Sequence, residues 1–246
     1  MIKLIIFLIK FFVIAFCILL FGACKMNINL GAGEKGSGNR ITQTRAADEK
    51  FDQIEVQQGI SVDVSQTNTQ SITVEIDDNI QKLIQTKIEN GILKIYTKES
   101  FNTNASPKVK VSLPTISALK ASSGSEMSSR TILSSTNLNV KSSSGSSVNV
   151  DVEADILTLE SSSGSTITAA GKALKLDTST SSGSTIKADK LLANDVHAQA
   201  SSGSTTKVSA AVSLDAQASS GSSIRFSKNP KTLKIDESSG GSISGN

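Results

Sequence analysis

The sequence predicts an all-β chain folded as a parallel β-helix, a β-solenoid with coils of about 19 residues, and three observations carry that prediction. Between Ser122 and the C-terminus the phrase Ser-Ser-Gly, followed by Ser or Gly, occurs seven times, with its glycine at Gly124, Gly145, Gly164, Gly183, Gly203, Gly221 and Gly240. These glycines lie 21, 19, 19, 20, 18 and 19 residues apart, a period that marks stacked structural units. Apolar residues sit at odd offsets on both sides of each glycine, so alternate side chains share one face, as they do in strands.

Within one unit the apolar residues fall seven and five positions before the glycine, and three and five after it. The upstream pairs are Leu138 and Val140, Leu157 and Leu159, Val196 and Ala198, Leu214 and Ala216, Leu233 and Ile235. The downstream pairs include Val148 and Val150, Ile167 and Ala169, Ile186 and Ala188, Ile224 and Phe226. The unit therefore reads as two short strands. In the repeat at Gly183 the upstream pair Leu174 and Leu176 is displaced by two residues, which reads as a local insertion. Helical repeats take roughly 30 or more residues, so a unit this short stacks as one strand-built coil. Neighbouring strands lie about 4.8 Å apart, so seven coils make a rod of roughly 30 to 35 Å. The glycine supplies the positive φ of a tight corner, and the small serines beside it can turn inward and hydrogen-bond along the stack.

The first residues set the compartment. Lys3 and Lys10 precede the apolar run Phe11 to Ala23, and Phe21-Gly22-Ala23-Cys24 follows the layout of a secretory signal. A cysteine directly after small residues resembles the bacterial lipobox, so residues 1–23 are expected to be a lipoprotein signal peptide and Cys24 the lipidated residue. An uncleaved anchor over Leu4 to Ala23 is the alternative. Residues 24–50, polar and glycine-rich, are expected to be a flexible tether. Lys25 and Met26 after Cys24 carry no inner-membrane Asp signal, which directs the expectation to the outer membrane, on either its periplasmic or its surface face.

Composition excludes several function classes. Loss of Lys3 and Lys10 with the signal lowers the formal net charge from +3 to +1, so the mature chain has no electrostatic footprint for nucleic acid. The two cysteines are Cys17, inside the apolar run, and Cys24, which leaves none for a disulfide or a thiolate metal site. No cofactor is implied. The aromatics remaining are Phe51, Tyr96, Phe101 and Phe226, too few for sugar-stacking platforms.

From Phe51 the runs Phe51, Ile54, Val56; Ile60, Val62, Val64; and Ile72, Val74, Ile76 read as strands. Asn79 to Ile84 reads as one helical turn and Asn90-Gly91 as a hairpin turn into Leu93 and Ile95. Val109, Val111 and Leu113 form a strand stopped by Pro114. Residues 51–116 are thus the N-terminal coils of one domain spanning 51–246, or a cap on its open end, and 117–246 hold the repeats.

These segments resemble the putative auto-transporter adhesin, head GIN domain family of lipid-anchored envelope proteins in Gram-negative bacteria. The resemblance rests on Phe51-Asp52-Gln53-Ile54-Glu55-Val56 with Gly59-Ile60-Ser61-Val62-Asp63-Val64, on Asn90-Gly91-Ile92-Leu93-Lys94-Ile95, and on Val109-Lys110-Val111-Ser112-Leu113-Pro114 leading to Leu119-Lys120-Ala121-Ser122-Ser123-Gly124-Ser125. It implies a right-handed β-helix with an adhesin-like role, and it brings no catalytic residues.

An enzyme is not expected. Polysaccharide lyases and hydrolases on β-helices need converging carboxylates with Lys, Arg or calcium. Here Glu160, Asp177, Asp215 and Asp236 fall on separate coils, Asp151 and Glu153 point outward by phase, and no calcium repeat occurs. The lone histidine, His197, also points outward and makes no credible Ser-His-Asp arrangement. The candidate contact is instead a column four residues after the glycine, Lys187, Lys207 and Arg225, which the register stacks on one face as a contact for an anionic polymer, or as a solvated column screened by Asp189 and its neighbours.

The function expected is a non-enzymatic, lipid-anchored envelope protein that presents a repetitive Ser/Thr-rich surface for adhesion, with a membrane, a surface glycan or a host matrix protein as partner. Two alternatives stay open. A carbohydrate-active β-helix protein would show three or more carboxylates in a groove, or Phe101 and Tyr96 beside a pocket; a structural spacer would bind nothing.

Overall fold

The computed structural model describes residues 33–245, and the expected signal peptide and Cys24 lie outside the described residues. The repeats form a parallel β-solenoid in which each coil stacks on the next, in register except for shifts between Thr168 and Ala170, Ala188 and Leu192, and Ala193 and Asp195. Long strands at Ser147–Ser161, Thr166–Thr180, Thr185–Ala200 and Thr205–Ala218 carry most of a coil each. The shorter strands Leu133–Ser142, Ser223–Phe226, Thr232–Glu237 and Ser242–Gly245 complete the stack.

The inward columns are made by equivalent side chains. One runs Ile54, Leu119, Val140, Leu159, Thr178, Ala198, Ala216, Ile235, each directly opposite the next. A second runs Val62, Met127, Val148, Ile167, Ile186, Thr206, Ile224, Ile243. Each of these side chains from the first coil to Ala216, and to Ile224 in the second column, is essentially inaccessible to water. Burial of one Leu or Ile side chain contributes roughly 1.5–3 kcal/mol, and the columns repeat that gain at every coil.

Two expectations are corrected here. No insertion displaces the repeat at Gly183: Leu176 stands opposite Leu157 and Val196, and the next inward position is occupied by Thr178. Leu174 points out and is exposed, because an apolar residue at a bend resembles a displaced core residue in the sequence. The unit also has three inward-facing sides, not two strands. After Val148 and Val150, the strand Ser147–Ser161 turns Val152 and Ala154 inward, loses its alternation at the exposed Asp155 and Ile156, and resumes with Leu157 and Leu159. The third side is lined by small residues, Ala154, Ala173, Ala193 and Ala210, in one column.

Residues 51–116 supply both a coil and a cap. Gln53–Val56 and Ser61–Gln66 are a coil, paired in parallel on one side with Ala118–Ala121 and Glu126–Ser129. On the other side they pair with Ile92–Thr97 and Lys108–Leu113. The stacking order therefore departs from chain order. Antiparallel strands Ile84–Glu89 and Ser71–Asp77 add to that outer layer, and a 3₁₀ helix, Asp78–Leu83, sets the fully buried Ile80 over the end of the core. The helical turn and the Asn90-Gly91 hairpin turn stand where the sequence puts them, with positive φ at both turn residues.

The stretch expected to be a flexible tether contains two strands. Glu34–Lys35 pairs with Phe101–Asn102, and Arg40–Arg45 pairs antiparallel with Ser71–Asp77. Its Thr and Arg residues look like linker, but they cover an edge of the cap, where Arg45 donates to the side chain and carbonyl of Gln81 at 2.9 and 2.8 Å. The opposite end of the solenoid has no such layer among the described residues: Leu233 and Ile235, at the end of the inward columns, are 43% and 45% exposed.

Candidate functional site

The repeated motif is a structural device. At each corner the serine before the glycine has φ between 47° and 54°, the glycine has φ between 67° and 76°, and the next residue's N–H closes a turn on the carbonyl three residues back, as Ser146 does on Ser143 at 3.2 Å. Positive φ at both central residues is the signature of the I′ turn. Except at Gly240, where Gly241 follows, the residue after the glycine is a buried serine whose hydroxyl bonds to the preceding coil. Ser146 donates to the Ala121 carbonyl at 2.9 Å, Ser165 to Ser142 at 2.7 Å, Ser184 to Ser161 at 2.7 Å and Ser222 to Ala200 at 2.8 Å. Each corner glycine from Gly124 to Gly221 donates its N–H to the next coil, as Gly145 does to Ser163 at 3.1 Å. Gln58-Gly59 makes the same corner without the motif, with Gly59 donating to the Ser123 carbonyl at 3.0 Å.

Outward residues therefore form ordered columns on each side. On the side before the corner the columns carry both signs and are tied by ion pairs, Lys120 to Glu55 at 2.9 Å, Lys141 to Glu160 at 3.0 Å and Lys234 to Asp215 at 3.0 Å, so that Lys120 and Lys141, although opposite each other, are each paired with a carboxylate. His197 belongs to this side, half-exposed and 3.9 Å from Asp215. On the side after the corner, Lys187 stands opposite Lys207 and Lys207 opposite Arg225. None of the three makes an ion pair among the described residues, Asp189 included. Hydroxyls flank the column, since Thr166, Thr185, Thr205 and Ser223 are likewise opposite one another two positions earlier.

On the third side lies an open groove of about 870 Å³. It lies over the inward alanine column and is lined by two outward columns. One column runs Ser134, Glu153, Lys172, Leu192. The other runs Thr136, Asp155, Leu174, Asn194, held between the paired columns of Ala154 and Ile156. Asp52, Ile116 and Ser117 close the end nearest the cap. Three carboxylates, Asp52, Glu153 and Asp155, thus line one groove, a feature that favours the carbohydrate reading. They do not converge: no group of three His, Cys, Asp or Glu side chains among the described residues could hold a metal ion. Phe101 lines a smaller pocket beside Gln58 and Pro107, and Tyr96 is not part of it. The groove was not found from sequence, because its residues come from separate coils and meet only through the register.

A parallel solenoid, capped at one end and bearing ordered outward columns, defines the class: an adhesin-like β-solenoid protein. The chain belongs to the family described as "Putative auto-transporter adhesin, head GIN domain", which matches residues 50–230. It is similar in fold to the crystal structure of a putative adhesin from Bacteroides fragilis NCTC 9343, with a TM-score of 0.80 at 19% identity over 87% of this chain and 100% of that one. A putative adhesin from Parabacteroides distasonis ATCC 8503 aligns with a TM-score of 0.70 at 17% identity, over 87% of this chain and 100% of that one. A putative lipid binding protein from the same strain aligns at 0.65 and 19%, over 86% and 98%. No curated protein matches the chain in sequence. No helix among the described residues is long and apolar enough to cross a membrane.

Proposed function

We propose that this protein is a non-enzymatic lipoprotein of the outer membrane, held through Cys24, whose solenoid presents a Ser/Thr-rich surface for adhesion and meets an anionic polymer, such as an acidic glycan or a host matrix protein, through Lys187, Lys207 and Arg225. The observation that carries the reading is the contrast between two neighbouring sides. On the side before the corner Lys120, Lys141 and Lys234 each pair with a carboxylate of a neighbouring coil, whereas these three like charges are stacked about one strand spacing apart without an internal counter-ion. Such a column repels itself, and an external polyanion relieves the repulsion. The chain enters the described fold at the capped end, which supports a lipid holding that end toward the membrane with the columns facing away.

The test is a glycan and matrix-protein binding screen on residues 25–246, run beside the triple variant Lys187→Ala, Lys207→Ala, Arg225→Ala. Binding to acidic polymers that weakens with salt and is lost in the triple variant supports the reading. Absence of binding to every glycan and matrix protein leaves the solenoid as a spacer. Metabolic labelling with a fatty-acid analogue, present in the natural chain and absent in Cys24→Ala, tests the anchor.

A further inference from the structure

We propose that the groove on the third side is a binding site for a neutral, linear oligosaccharide, separate from the cation column and independent of it. The groove is open to solvent and its lining spans successive coils, so it suits a chain-like ligand. Each rung advances about 4.8 Å, close to the length of one hexose in an extended chain, so successive sugars meet successive rungs.

The lining chemistry selects the ligand class. Glu153 and Asp155 are two residues apart on the strand Ser147–Ser161, are both exposed, and belong to the two columns that line the groove. Neither makes an ion pair among the described residues, as is also true of Asp151 and Asp189, and this holds for Glu153 although Lys172 stands directly opposite it in the next coil. Unpaired carboxylates are pure acceptors and call for a ligand rich in donors, while the amide of Asn194 both donates and accepts. Carboxylates outnumber Lys172, the groove's one cation among the described residues, and that balance disfavours acidic polymers. Leu174 and Leu192, 56% and 37% exposed, offer apolar contact to the C–H faces of sugar rings, in place of the aromatic platforms this chain lacks. The carboxylates are spread along the walls without converging on a point, an arrangement that suits hydroxyls distributed along a chain better than one concentrated positive charge.

The experiment is calorimetric titration of the full-length protein with di- to hexasaccharides of neutral β-linked glucose and mannose, with oligogalacturonate as an anionic arm and hexalysine as a cationic peptide arm. The expected result is binding of a neutral series, with affinity rising up to about four sugars, one per rung. Affinity should fall about tenfold in Asp155→Asn and further in Leu174→Arg, which fills the groove from an exposed position. The Lys187, Lys207, Arg225 triple alanine variant should bind the neutral series normally, so failure here and failure of the cation column are told apart. Circular dichroism confirms that each variant keeps its strands. The proposal is overturned if no neutral series binds, if Leu174→Arg binds as tightly as the natural chain, or if only hexalysine binds.

Discussion

The hydroxyl of Ser165 donates to the backbone carbonyl of Ser142, 2.7 Å away in the preceding coil, and accepts the N–H of Ser162 at 3.2 Å. One buried side chain thus closes its own corner and ties it to the coil before. The repeated serine answers a local need: a corner leaves backbone groups inside the stack that water cannot reach, and only a short hydroxyl both fits and satisfies them. Ser165→Ala should lower the unfolding free energy by about 1–2 kcal/mol in denaturant melts, the usual cost of losing a buried hydrogen bond. Ser147→Ala, two positions after its own corner glycine and exposed, should change stability by less than about 0.5 kcal/mol.

Ser163, on the outside of the same corner, has φ 53°, a left-handed conformation that costs an ordinary residue on the order of 1 kcal/mol. Asparagine tolerates it better, and the chain uses Asn90, φ 52°, before Gly91 in its hairpin. Ser163→Asn should therefore raise stability by a few tenths to about 1 kcal/mol. Serine's prevalence at this position would then have a cause other than turn geometry. A drop in the melting temperature would show that the Ser163 side chain makes a contact the turn needs.

The corners and the two inward columns were legible in the sequence because glycine and serine recur where the backbone demands them and Leu, Ile and Val alternate at period two. The third side was not, since Ala154, Ala173 and Ala193 carry little hydrophobic signal and the alternation breaks at Asp155 and Ile156. Thr178 was hidden for a related reason, as a polar residue in an apolar column. Its hydroxyl is buried without a hydrogen-bond partner, whereas the equally buried Thr180 and Thr206 bond to each other at 2.6 Å. Thr178→Val should stabilise the fold by about 1 kcal/mol, since it removes an unsatisfied buried hydroxyl. In Thr206→Val the same chemical change should destabilise it by a similar amount, because Thr180 loses its partner. The pair of variants, measured side by side, separates hydrogen bonding from hydrophobicity.

Gly171 differs from the corner glycines. Its φ is 114°, and a Cβ placed on it would lie 2.0 Å from the Val152 carbonyl oxygen in the neighbouring coil, a backbone atom that cannot turn aside. A Cβ on Gly145, φ 70°, meets nothing within 4 Å. Gly145→Ala should cost roughly 1 kcal/mol, from φ alone. Gly171→Ala should cost on the order of 3 kcal/mol or more, because it forces two coils apart as well. Equal effects of the two substitutions would mean that the coils do not approach this closely at Val152.

Asp63 joins the first coil to the cap and to the repeats, with Lys108 at 3.0 Å on one side and Arg130 at 2.7 Å on the other. Partial burial pushes its carboxyl up, but the hydrogen bonds and charges of Arg130 and Lys108 outweigh it and hold the group below its ordinary value of 3.8. A carboxylate with a lowered folded pKa contributes stability that is present in full above its unfolded value and lost as the pH falls through the folded one. The stability of the natural chain should therefore fall as the pH is taken from neutrality to below 3.8, with part of that slope owed to Asp63. Asp63→Asn should be less stable than the natural chain at pH 7, by on the order of 1 kcal/mol. Its stability should then fall less steeply through the acid range, so that the two curves converge at low pH. If the curves stay parallel, the slope belongs to other paired carboxylates such as Glu89, which Lys87 and Lys94 hold at about 2, and the junction does not depend on the charge of Asp63.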